Sequence, residues 1–202
     1  MFLFATVLTL YYLCASAASQ NILSLNVNHD KSDSVGVKIP LIGDDNNVIS
    51  LLGTKTSMGA FNKGFAVDNV NSHGALLTHT SIPKFGSQIT GAGKLNLLHN
   101  NHHNLNANAF VTRNMPDKPS IPIFNTVGGS FDYMFGNKMG ASVGVANTPF
   151  LQRTDYSALG KLNLYSSPRA SVDLNAGFGR SISPKLRSDW QPLGGLTFTR
   201  YW

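Results

Sequence analysis

The chain has 202 residues, a formal net charge of +6 and a single cysteine, Cys14. One cysteine excludes an internal disulfide framework, and beyond the N-terminal segment no apolar run approaches the length of a membrane-spanning helix. All ten acidic residues are aspartates, and the chain carries no P-loop, nucleophile elbow or dinucleotide fingerprint.

The chain opens on an apolar run, MFLFATVLTLYYL, followed by small residues. Ala15-Ser16-Ala17 is an A-x-A site, so residues 1–17 are expected to be a secretory signal, cut after Ala17 or Ala18. Cys14 falls inside it, and the exported remainder must fold on its core alone. Residues 18–87 follow as a charge-neutral N-terminal region, with five lysines and five aspartates. Here SLNVNH alternates Leu25 and Val27 with Ser24, Asn26 and Asn28. Such period-two alternation predicts a short strand with two unlike faces. Gly43-Asp44-Asp45-Asn46-Asn47 predicts the next turn.

The remaining chain repeats itself. GKLNL occurs at Gly93–Leu97 and again at Gly160–Leu164. Each copy is followed by a turn, by LNANAF or LNAGF, by a basic residue and a proline, by a Gly pair and by an alternating aromatic strand. Landmarks recurring in one order indicate an internal duplication, giving units 88–150 and 151–202. Each GKLNL is predicted to be the first arm of a hairpin, with its leucines packed inward and Lys94 and Lys161 as outward cations. Gly140, Gly144, Gly177 and Gly179 lie inside strand patterns, where glycine marks bends, bulges or close backbone approach. The predicted fold is all-β: an antiparallel sandwich or barrel built from glycine-rich hairpins, either complete in water or completed on a bacterial surface.

Candidate chemistry is sparse. His99, His102 and His103 fall in a predicted turn, and the second copy of that turn has no histidine, so a polar turn is expected and not a metal site. The short basic stretch Lys185-Leu186-Arg187 near Trp190 is expected to be a solvated turn and not a nucleic-acid surface. The aromatic strand ends suggest an outer-membrane barrel. With Asn, Asp and Lys taken as the outward residues, however, no lipid-facing band is expected, and stable transmembrane insertion is not predicted.

NLNANAFVTRNMP, SVDLNAGF and the long stretch FNTVGGSFDYMFGNKMGASVGVANTPFLQRTDYSALGKLNL resemble the attacins, glycine-rich antibacterial proteins of insect haemolymph. IPKFGSQITGAGKLNL and DNVNSHGALLTHT fit the upstream part of that family. The resemblance implies an N-terminal attacin region followed by two glycine-rich domains, G1 and G2, matching 18–87, 88–150 and 151–202. It also implies a secreted, non-enzymatic immune effector acting mainly on Gram-negative bacteria, without a cofactor. Such a protein would bind lipopolysaccharide, perturb the outer membrane and block synthesis of its proteins. No paired basic residues occur between Ser19 and Lys31, so the family's multibasic processing site has no counterpart there. Residues 88–202 carry eleven Lys and Arg against five Asp and hold the whole positive excess. The candidate contacts to an anionic surface are therefore Lys94, Arg113, Lys118, Lys138, Arg153, Lys161, Arg169, Arg180, Lys185, Arg187 and Arg200. The alternative function is a soluble β-barrel that holds a small apolar ligand.

Overall fold

The computed structural model describes residues 21–28, 33–100, 102–136, 138–184 and 186–202. The predicted signal, its cleavage site and Cys14 lie outside them. The described chain is almost entirely strand. In order it runs β1 (Ile22–Asn28), β2 (Ser34–Gly43), β3 (Asn47–Thr56), β4 (Phe61–Asn69), β5 (Gly74–Ile82), β6 (Gly86–His99) and β7 (His103–Pro116). It continues through β8 (Phe124–Phe135), β9 (Met139–Thr148), β10 (Arg153–Ser167), β11 (Ala170–Ser183), the two-residue β12 (Leu186–Arg187) and β13 (Gln191–Tyr201).

The strands form one antiparallel sheet in which each strand from β1 to β11 pairs with the next. The sheet then closes. β11 pairs with β13, and β13 pairs with β1, from Ile22 opposite Tyr201 to Asn28 opposite Gly195. The backbones of Asn21 and Trp202 bond in both directions, at 2.7 and 3.2 Å, and lock the first strand to the last. The result is a twelve-stranded up-and-down barrel, with β12 a short addition on β11. Closure removes the sheet edges, so no long row of backbone groups is left unpaired.

The all-β expectation holds, and both copies of GKLNL are the first arms of hairpins, β6–β7 and β10–β11. The two hairpins also share a defect. The register shifts between Asn96 and Leu98 in one and between Asn163 and Tyr165 in the other. A β-bulge thus falls at the last leucine of each GKLNL, Leu97 and Leu164, where it tightens the local twist. Both hairpins are staves of a single barrel, and so are the five strands of the N-terminal region. That region therefore shares one closed wall with the rest.

The faces are the reverse of those predicted. Leu95 is 61% exposed and Leu97 54%, while Asn106 is only 9% exposed. Leu25, Val27, Phe131, Tyr133, Phe135 and Leu174 likewise point outward. The buried polar residues include Ser50, Thr78, Asn106, Asn114, Thr148, Ser171 and Asp173, whereas Ala66 is the one buried hydrophobic residue among those described. The barrel is polar inside and apolar outside.

The turns differ between the two ends of the barrel. At one end, β2–β3, β4–β5, β6–β7, β8–β9 and β10–β11 are joined by turns of two to four residues. The longest connections, 117–123 and 184–190, lie at the other end. In the β2–β3 turn the Asp44 carboxylate accepts the N–H groups of Asn46 at 2.8 Å and Asn47 at 2.6 Å. These two bonds, Asn46 first, hold its pKa below the ordinary carboxylate value. A lowered folded-state pKa contributes stability above the unfolded value and loses it as pH falls through the folded one. Amide-exchange protection at Asn46 and Asn47 is therefore expected to drop in acid below the ordinary Asp range. In Asp44→Ala it should be low at every pH. Unchanged protection in that variant would show that the turn does not depend on the carboxylate.

Candidate functional site

Antiparallel pairing places directly opposite residues on the same face, so the register sorts every strand into an outer and an inner row. The outer row is apolar around the whole circumference. Leu25, Val37, Leu51, Phe65, Leu77, Leu95, Val111, Phe131, Val143, Ala158, Leu174 and Phe198 represent the twelve staves in turn. Outward aromatics lie toward both ends. Tyr133, Phe135 and Tyr165 are near the short turns, and Phe61, Tyr156 and Trp190 are near the long loops.

The inner row is joined by hydrogen bonds. Gln88 donates to Asn114 at 2.8 Å, Asn114 to Thr126 at 3.2 Å, and Thr126 shares a bond with Thr148 at 2.9 Å. That chain links four adjacent strands across the lumen wall. Below it, Asn96 donates to both Asn104 and Asn106, and Asn108 bonds Ser130 and Asp132. The lumen also holds ion pairs: Lys38 with Asp68 at 2.5 Å, Arg153 with Asp155 at 2.8 Å and Lys161 with Asp173 at 3.7 Å. A cleft in the loop-end half of the lumen is lined by Phe110, Ser130, Arg153, Asp155, Ser181, Gln191 and Leu193. Its wall mixes apolar side chains such as Phe110 and Leu193 with the charged pair Arg153 and Asp155.

The eleven sequence-selected cations separate into groups. Lys94, Arg153 and Lys161 face the lumen, which corrects the expectation that Lys94 and Lys161 point outward. Lys94 stands opposite Asn108, and Lys161 opposite Asn175 with its ammonium toward Asp173. Lys138, Arg169 and Arg200 lie at the short-turn end. Arg113, Lys118, Arg180 and Arg187 lie at the long-loop end, where Arg180 also donates to the Ser188 carbonyl at 3.1 Å. Lys185 lies outside the described residues.

Sequence reasoning missed three partners of that last group. Lys55 and Lys63 are exposed on the outer face near the loop end, and Lys84 is exposed in the β5–β6 turn at the same end. They were overlooked because their segment is charge-neutral when counted as a stretch of chain. Folding separates its charges: Lys38 and Asp68 pair inside, and Asp44 and Asp45 go to the opposite end. The loop end is left with Lys55, Lys63, Lys84, Arg113, Lys118, Arg180 and Arg187 against Asp33, Asp117 and Asp189, a net positive collar around the rim of the apolar wall. The missed signal was parity. Lys55 and Lys63 stand at the same alternate positions as Leu51 and Phe65, the outward residues of their strands.

Residues 83–202 match the family model described as the C-terminal region of attacin. The chain is 50% identical over 182 residues to Attacin-A of Trichoplusia ni, covering 88% of this chain and 72% of that protein. It is 46% identical over 183 residues to Attacin-E of Hyalophora cecropia, covering 88% of this chain and 78% of that one. Among solved structures it is similar to the NanC porin, with TM-score 0.59, 5% identity and coverage of 90% of this chain and 99% of the porin. The KdgM porin gives TM-score 0.53 at 10% identity, covering 91% of this chain and 99% of that one. At such identities the likeness is one of fold: a closed antiparallel barrel of similar size.

Proposed function

Because the chain belongs to the attacin family, and is therefore an insect antibacterial defence protein, we propose that it is secreted into haemolymph and acts mainly on Gram-negative bacteria. It docks on the lipopolysaccharide of the outer membrane, perturbs permeability there and thereby disturbs synthesis of outer-membrane proteins. It needs no cofactor and no catalytic residue. The units 18–87, 88–150 and 151–202 are the attacin region, G1 and G2, and the shared bulge of the two GKLNL hairpins supports a common origin for the last two.

The observation that carries this reading is the cationic collar, with Lys55, Lys63, Lys84, Arg113, Lys118, Arg180 and Arg187 at one rim of an apolar wall. Lipopolysaccharide presents phosphates above acyl chains, in the same order along the barrel axis. Basic residues near an anionic lipid surface contribute about 1 kcal/mol each, and salt screens them. Collar residues are the contacts; Lys94 and Lys161 are not.

Replacing Arg113 and Lys118 together by glutamine is thus expected to weaken lipopolysaccharide binding by about 30-fold at low salt, from about 1 kcal/mol for each cation. The lumen variant carrying Lys94→Gln should bind as the unaltered chain does. Titration of labelled lipopolysaccharide at rising salt reads both. Equal losses in the two variants, or affinity indifferent to salt, would sink the collar as the docking element.

A further inference from the structure

The outer wall of the barrel carries more information than charge alone. Leu25, Phe65, Leu95, Phe131, Val143 and Leu174 belong to strands spread right around the barrel, so the apolar surface is a continuous belt. A belt on a closed convex wall cannot be covered by a second copy of the chain, which would shield one sector only. A fluid apolar phase covers all of it. Apart from β1, the twelve staves have 9 to 15 residues each. A tilted strand crosses a bilayer core in about 9–11 residues. Closure satisfies the backbone within the wall, as hydrocarbon requires. Outward Tyr133 and Tyr165 near one end, with Tyr156 and Trp190 near the other, stand where side chains with an apolar body and a polar tip prefer the interface.

We propose that the barrel inserts whole into a bilayer bearing anionic headgroups, with acyl chains occupying the belt and water the lumen. The charge distribution sets the direction. The loop end carries the collar and stays with the headgroups. The short-turn end, whose connections are two to four residues long, crosses first. Lumen pairs such as Lys161 with Asp173 never meet lipid, because both side chains lie inside the wall. The inference rests on the membrane-docking reading above and goes beyond it: docking needs the collar alone, insertion needs the belt.

The test uses the exported chain, which begins after Ala17 or Ala18 and so lacks Cys14, and a single introduced cysteine takes an environment-sensitive fluorophore. On β9, Ala141, Val143 and Val145 point outward, and Ser142 and Ala146 point inward. With phosphatidylglycerol vesicles containing nitroxide-labelled acyl chains, quenching is expected at 141, 143 and 145 and not at 142 or 146. Quenching is also expected at Leu25 and Leu174, on β1 and β11. Equal quenching at odd and even positions, quenching on one sector only, or none, would overturn insertion. Lipopolysaccharide binding measured on the same samples separates the two readings. Binding without the alternating pattern removes insertion and leaves docking, whereas absence of both removes both.

Discussion

Val143→Lys is expected to lower partition into anionic vesicles by about 30- to 1,000-fold, because a cation on the lipid face of a barrel costs about 2–4 kcal/mol near the midplane. Val143 is 54% exposed and lies near the middle of β9. Ser142→Lys puts the same charge one residue away, on the opposite face. Its partner across the strand pair is Asp132, an inward carboxylate that already accepts a bond from Asn108. Lysine there gains a counter-charge and remains in the aqueous lumen, so partition should change little. Co-sedimentation with vesicles compares the pair, and far-ultraviolet circular dichroism confirms that both variants keep the strand signal. If the two lysines weakened partition equally, the belt would not be in hydrocarbon. A purely electrostatic docking would instead be strengthened by either one.

The contrast between those neighbours also shows where sequence reasoning succeeded and where it failed. Strands, turns and the repeated hairpin were legible because they depend on local chemistry. Asn100 turns the chain between β6 and β7, accepting the N–H groups of His102 and His103 at 3.0 and 2.7 Å. The alternation of Leu95 and Leu97 with Lys94 and Asn96 is likewise local. Which face goes inward is not local. A period-two pattern is unchanged when its faces are exchanged, and the assignment made was the one proper to a soluble sandwich.

A clue to the true assignment was nonetheless present. Asn96 lies opposite Asn106, Lys94 opposite Asn108, and Asn108 in turn beside Ser130 and Asp132. A face turned to bulk water has no need of partners matched across three strands. A lumen wall does, because confined polar groups bond one another. The closing pair was equally out of reach, since β1 and β13 stand at opposite ends of the chain and their pairing is purely long-range. For the same reason the cations could not be sorted from composition. Lys161 and Arg113 belong to one positive stretch of sequence, yet one lies in the lumen and the other on the collar.

The inward glycines give the second large effect. Gly140, Gly144, Gly177 and Gly179, singled out in the sequence as bends or close approaches, all lie on the inner row. On the inside of a curved, twisted wall the staves crowd together. A Cβ built on Gly177 would overlap the Ala158 carbonyl oxygen and lie 2.7 Å from the Leu159 Cα. Both are backbone atoms of β10, so no side-chain rotation relieves the clash. Gly177→Ala is expected to destabilise the barrel by about 3 kcal/mol, at the upper end of overpacking costs, because the β10–β11 pairing itself must shift. Gly91, on the outer row of β6, has nothing within 4 Å of its built Cβ. Gly91→Ala removes unfolded-chain freedom without a clash and should stabilise by about 0.5 kcal/mol. Denaturant titration of both variants, followed by far-ultraviolet circular dichroism, reads the difference. Equal stabilities would mean that the β10–β11 stave pair is not held as closely as this barrel requires. The hairpin carrying the second GKLNL would then not be a load-sharing part of the closed wall. A large loss for Gly177 alone ties barrel closure to the inner face, which is also the face that keeps the polar residues away from lipid.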